Sequence, residues 1–182
     1  MKVSRGFDLE KFGEIHLLPP FMIDVPADLP KDVQNDWMNK KFPEKLIPVR
    51  RFSPYPLRLR VEKFAIYFRR EFAYDFIQYS AKNDWGYSAY LFCDKTFAGH
   101  LAIGACCFRW HEWGDIKSSW ALQWVWLHPY FRDRGCLTDA WEYFNKKLGP
   151  FVVEPPLSNA MFSFLEKRGY DPEKLLEQLK RD

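Results

Sequence analysis

Eight of the 13 prolines fall between Pro19 and Pro56. Proline fixes φ and has no N–H to donate, so this stretch holds neither a long unbroken helix nor a central strand through those points. The first third is therefore expected to be an irregular wrap, with room for one short helix near Asp32 to Lys41. Its Phe21, Ile23, Trp37, Phe42, Leu46 and Ile47 are too apolar for a free tail, which predicts that residues 1–56 pack on a body built by the rest. A chain of 182 residues favours one domain, over 1–182.

The remaining two thirds carry regular periodicity. Phe64, Tyr67, Phe68, Phe72, Phe76 and Tyr79 recur every three or four residues, predicting an amphipathic helix from Arg60 to Tyr79, with an ending near Tyr74 as the alternative. Tyr87 to Phe92 and Gly99 to Trp110 are apolar, β-prone runs separated by residues 93–98, the pattern of a hairpin. Trp120 to Leu127 is a third strand, stopped by Pro129. Leu137, Ala140, Trp141, Phe144 and Leu148 then trace one helical stripe that Gly149 and Pro150 end. Phe151 to Glu154 reads as a short strand before Pro155 and Pro156. A further helix runs from Ser158, its N-cap, to Arg168, and Asp171-Pro172 opens a last short one. The expected fold is α/β of the α+β kind: a mixed, mostly antiparallel sheet flanked by helices, with the Pro-rich wrap packed on it.

Composition narrows the function classes. With 47% hydrophobic and 19% aromatic residues the chain has ample material for a core, which excludes a disordered protein. A net charge of +3 is too small to argue nucleic-acid binding by itself. No apolar run approaches the roughly 18 residues of a membrane span, and Met1 to Glu10 has no signal-peptide core, so a cytoplasmic protein with no membrane partner is expected. Cys93, Cys106, Cys107 and Cys136 form no CxxC pair and sit in apolar stretches, the setting of reduced, packed cysteines. Cys93, His100, Cys106, Cys107 and His111 lack the spacing of a zinc site, and strand alternation sends Cys106 and Cys107 to opposite faces, so no metal is expected.

Chemistry concentrates where the third strand gives way to a helix. In Pro129-Tyr130-Phe131-Arg132-Asp133-Arg134-Gly135-Cys136 a strand end, a glycine turn and a helix start aim backbone N–H groups and the helix dipole at one place. Such a place favours an anion, and flanking arginines add charge-assisted hydrogen bonds.

The stretch Leu127-His128-Pro129-Tyr130-Phe131-Arg132-Asp133-Arg134-Gly135-Cys136-Leu137 resembles the acyl-CoA signature of the GNAT superfamily, a strand ending in V-x-P followed by R/Q-x-x-G-x-G/A. Downstream, Val153 to Ala160 and Phe164 to Tyr170 are similar to the family's next strand, its asparagine-bearing helix and its Y-E-K-x-G-F ending. The likeness extends from about Ala89 to Tyr170. It implies a GNAT-like fold and an N-acyltransferase, using acetyl-CoA as co-substrate, in which an amine attacks the thioester directly. It also implies that Leu127 pairs with the pantetheine arm through its backbone and that Arg132, Arg134, Gly135, Cys136, Leu137 and Thr138 form the pyrophosphate loop and helix start, with Asn159 on the next helix. Two positions depart from the pattern. Leu137 stands where the family has a small residue, and Leu165 where many members carry a tyrosine that protonates the departing thiolate; Tyr130, Tyr143 and Tyr170 are the substitutes in view.

An attacking amine has to lose a proton, so a base or a water chain is needed near Trp120 to Leu127. Glu154, at a strand end, is the preferred carboxylate; Gln123 is placed to hold a water, and His111 and Glu112 lie on the loop beside Trp110 and Trp113. The acceptor stays open among small amines, antibiotics, protein N-termini, lysines and aminoacyl-tRNA. The alternative is an inactive GNAT-fold interaction protein that contacts RNA or an acidic partner through the basic stretch Arg50 to Arg70. Against it, Glu62, Glu71 and Asp75 offset that charge.

Overall fold

The fold is a computed structural model that describes residues 45–82, 86–96, 99–112 and 118–170. Five strands, β1 (Leu46–Val49), β2 (Tyr87–Thr96), β3 (Gly99–His111), β4 (Ser119–Leu127) and β5 (Phe151–Val153), form one sheet in that order. Neighbours are antiparallel except β4 and β5, which run parallel. A parallel pair needs a crossover, and here it is α2 (Cys136–Leu148). The other helices are α1 (Tyr55–Phe72) and α3 (Asn159–Glu166). The mixed, mostly antiparallel sheet flanked by helices is the architecture the sequence predicts.

Strand alternation sorts the core into two layers. Ala89, Leu91 and Cys93 of β2 face α1, where Leu57, Val61, Phe64, Ala65 and Phe68 supply the helical stripe. Tyr90 and Phe92 face the other way, against Ala140, Trp141 and Phe144 of α2 and Leu165 of α3. Cys107 falls in the first layer and Cys106 in the second, as alternation requires.

Several boundaries differ from the sequence reading: β2 runs on to Thr96 through residues read as the hairpin turn, β3 includes His111, read as a loop residue, and the following two differ more. The helix predicted over Arg60 to Tyr79 spans Tyr55–Phe72, so its end agrees with the shorter alternative. Pro56 is accommodated because the first helical turn has no N–H partner to lose. At the other end Ala73 adopts φ +55°, its N–H bonded to the Arg69 carbonyl, and Phe76 is 67% exposed, while Tyr79 is buried in the same layer but lies beyond the helix. Leu46–Val49, inside the stretch read as irregular, is a strand: β1 lies at the sheet edge, where Pro48 has no second neighbour to serve. The wrap before residue 45 and the short helices expected near Asp32 to Lys41 and after Asp171 lie outside the described residues. No described helix is long and apolar enough to cross a membrane.

Candidate active site

Strand β4 builds the site because its two halves are flanked differently. Trp120, Ala121 and Leu122 pair with Phe151, Val152 and Val153 of β5, and Leu122 O also accepts from Glu154 N at 3.0 Å. From Gln123 onward β5 is gone. The register against β3 steps at the same point, Cys107 opposing Trp124 and Phe108 opposing Leu122, so Gln123 is the extra residue of a β-bulge. The bulge inverts the alternation: Trp120 and Leu122 pack with α2 and α3, whereas Trp124 and Trp126 pack with α1. At the far end Gly104 of β3 lets β4 come close. A Cβ there would lie 2.8 Å from Leu127 Cδ2 and 2.9 Å from Leu127 Cα, and nearer still to the Trp126 carbonyl oxygen.

The chain then turns through a 3-10 helix, Pro129–Phe131. Its entry is fixed by His128, whose Nδ1 accepts from Tyr130 N at 3.2 Å, an acceptor role that requires that nitrogen to be unprotonated. Burial and then the nearby Arg132 guanidinium hold the His128 pKa below its usual value. Arg132 is engaged with its own protein. Nη1 and Nη2 each donate to Glu71 of α1 at 2.7 Å, and Nε donates to Leu127 O at 2.8 Å. Glu71 Oε2 also accepts from Trp126 Nε1 at 2.6 Å. Arg134 is exposed and stacks 4.2 Å above the Tyr130 ring. Gly135 caps α2 with φ +80°, the left-handed region that glycine enters at little cost.

Between the open half of β4, the start of α2 and α3 lies a groove of about 580 Å³. Leu127, Arg132, Gly135, Cys136, Leu137 and Thr138 all line it, so most of the residues singled out for cofactor binding converge here. Leu137 is half-buried against the α2/α3 core and also forms part of the groove wall. Burial pushes the Cys136 thiol pKa up, the opposite of an activated nucleophile. Asn159 is exposed and does not line this groove, while its neighbour Ser158 does. Lys167 and Arg168, basic residues the sequence reading did not single out, also line the groove.

A second cavity of about 230 Å³ opens beside the first. Phe72, Val125, Ser158 and Met161 line both, so the two are contiguous along the exposed edge of β4. The three candidate catalytic residues come together at it. Glu154, just past β5, receives Gln123 Nε2 on Oε2 at 3.2 Å, and its Oε1 is hydrogen-bonded to His111 Nε2. The trio is only partly open to solvent, with side-chain exposures of 25% for His111 and 20% for Glu154. The bulge explains how Gln123 reaches the trio. Glu154 and Gln123 line the cavity directly; His111 stands behind Glu154.

Tyr74 is the side chain that sequence reasoning missed. The left-handed turn at Ala73 brings it to the second cavity, where its hydroxyl donates to the Pro156 carbonyl at 3.2 Å. Burial, and then the Glu154 charge, raise its pKa. None of the three substitute acids lines either cavity: Tyr130 is 57% exposed under Arg134, Tyr143 packs edge-on against Tyr90, and Tyr170 against Trp141. Leu165 is fully buried in the α2/α3 core. In the basic stretch, Arg58, Arg60 and Arg69 donate to backbone carbonyls of their own chain.

No family profile matches the sequence, and no curated protein matches it. Solved structures do resemble the fold. An acetyltransferase from Trypanosoma brucei is 18% identical, covering 47% of this chain and 63% of that one, with a TM-score of 0.38. An aminoglycoside acetyltransferase from an uncultured soil metagenomic sample, in complex with sisomicin, is 11% identical, covering 68% of this chain and 85% of that one, with a TM-score of 0.45. A ribosomal-protein-alanine N-acetyltransferase from Brucella melitensis biovar Abortus 2308 is also 11% identical, covering 69% and 91%, with a TM-score of 0.43. This chain thus spans less than two thirds of the Trypanosoma brucei protein. These are likenesses of fold. The mostly antiparallel sheet with one parallel pair, closed by a β4–α2–β5 crossover, is the mixed α+β architecture expected from the sequence.

Proposed function

We propose that the chain is an N-acyltransferase that moves an acyl group, acetyl in the first instance, from acyl-CoA to an amine by direct attack. One observation carries the reading: a long groove and a smaller cavity holding a carboxylate meet on the unpaired edge of β4. The larger groove suits coenzyme A in its chemistry. The left-handed Gly135 and the first turn of α2 offer backbone N–H groups and a helix dipole to a pyrophosphate, and Lys167 and Arg168 add positive charge from the facing wall. Val125, Leu127, Leu137 and Met161 give the arm an apolar bed. Bound there, acyl-CoA would supply an acyl carbon activated by its thioester.

In this reading Glu154 takes the proton that the amine releases as the new C–N bond forms and the C–S bond breaks. The thiolate leaves with the bonding pair and is protonated afterwards. His111 and Gln123, each bonded to a different carboxylate oxygen, are positioning residues that fix the carboxyl plane. Ser158 at the junction and Tyr74 in the cavity are the hydroxyls nearest to hand in place of the family tyrosine.

Titration calorimetry with coenzyme A, followed by thiol-release assays with acetyl-CoA and a panel of amines, tests the proposal. Wild type should bind coenzyme A, and Thr138→Trp, an exposed substitution that fills the groove, should not. Glu154→Gln should bind it as wild type does yet lose about 100-fold or more in kcat/KM. No binding to wild type, or unchanged binding to Thr138→Trp, rejects the cofactor site; full activity in Glu154→Gln rejects the base.

A further inference from the structure

The second cavity also says what kind of amine it is shaped for, and we infer that it takes a small primary amine carrying one aromatic ring on a short alkyl chain. The chemical step rests on the acyltransfer reading above; recognition of the ligand does not. Four rings, Phe68, Phe72, Tyr74 and Trp124, line the cavity together with aliphatic Leu122, Val153 and Leu157. Against that surface stand one carboxylate, Glu154, and one carboxamide, Gln123; among the described residues that line the cavity there is no other acidic group and no Lys or Arg.

Each property selects a feature of the ligand. A single carboxylate pairs with a single ammonium, and aromatic faces around it favour a cation through their quadrupoles. A second or third ammonium would meet ring and aliphatic walls with no counter-charge among the described lining residues, so polyamines and polycationic sugars fit poorly. An engineered apolar cavity of about 150 Å³ accommodates benzene. The 230 Å³ here therefore has space for a ring plus a short aminoalkyl arm. The ring walls are held in place independently of any ligand. Trp124 Nε1 donates to Gln78 O at 3.3 Å, the Phe68 ring lies 4.9 Å from Tyr74 and 5.9 Å from Trp124, and Tyr74 is tied to Pro156. A preformed aromatic slot loses little freedom when a flat ring enters it.

The probes are 2-phenylethylamine, its neutral alcohol counterpart, ethylamine and spermidine, each measured by calorimetry on the full chain with and without coenzyme A, and the amines also by thiol release from acetyl-CoA. We expect 2-phenylethylamine to bind at least tenfold more tightly than each of the other three. Its binding should weaken at least tenfold in Glu154→Gln and in Leu157→Trp, whose added ring fills the slot and whose thermal unfolding should match wild type. Equal or tighter binding of spermidine or ethylamine, or undiminished binding to a folded Leu157→Trp, overturns the inference even if coenzyme A binds and turnover with other amines is found. Selective binding of 2-phenylethylamine by a protein that ignores coenzyme A upholds the slot and removes the acyltransfer reading instead.

Discussion

From Trp120 to Leu122, β4 has strands on both sides and its side chains pack between the sheet and α2. From Gln123 to Leu127 it has β3 on one side and two cavities on the other. The same strand thus holds the domain together in its first half and, beside two cavities, has no strand partner on that edge in its second. One inserted residue, Gln123, marks the change, and it also turns a carboxamide toward Glu154. A site built this way stands on a rigid element yet keeps an edge exposed, an edge that proteins otherwise cover or blunt.

The contrast can be broken most forcefully in the first half. Leu122→Ala removes a side chain that is 1% exposed and should cost about 2 to 5 kcal/mol in urea unfolding, by leaving a cavity. Any loss of coenzyme A binding should then follow the unfolded fraction. Gly104→Ala comes next. Its Cβ would meet backbone of Trp126 and Leu127, which cannot rotate away, so about 1 to 3 kcal/mol of stability should be lost, with coenzyme A affinity falling in the molecules that stay folded. Were Gly104→Ala to leave that affinity intact, the close approach of β3 would not be what shapes the open half.

The smallest effect concerns His128. Its folded-state pKa lies below the unfolded value, so the folded protein holds fewer protons. Stability is therefore full above the ordinary imidazole pKa of about 6.5 and declines as pH falls through that value and then through the lowered one. His128→Asn keeps a side-chain acceptor for Tyr130 N and does not titrate. The stability gap between it and wild type should shift in the variant's favour on acidification, and a gap that does not change with pH removes His128 from the account.

How far all this could be read from the sequence depends on what each residue touches. The strand and helix order from Tyr87 to Arg168 was legible because alternation and a 3.6-residue stripe come straight from burial, as with Tyr90 and Phe92 or Ala140, Trp141 and Phe144. Helix α1 was over-extended because Phe76 and Tyr79 keep the spacing, while the turn that breaks it rests on an alanine, which carries no left-handed signal. The groove residues Leu127 to Thr138 were legible as one contiguous segment. The meeting of His111, Gln123 and Glu154 was not, since they are far apart in sequence and joined only by sheet order and a bulge. Tyr74 was missed for the same reason, and Arg132 reads as a ligand-binding arginine although Glu71 occupies its fork.

That last contact reaches beyond its own geometry. Glu71 lies in the final turn of α1, and it clasps both the loop before α2 and the indole of Trp126. One carboxylate thus holds both that helix end and the Arg132 side chain that lines the groove. A ligand that prefers the closed clasp tightens the helix by the same free energy with which the helix tightens the ligand. Amide exchange across Phe68 to Phe72 would then report occupancy of the groove that Phe72 and Arg132 both line.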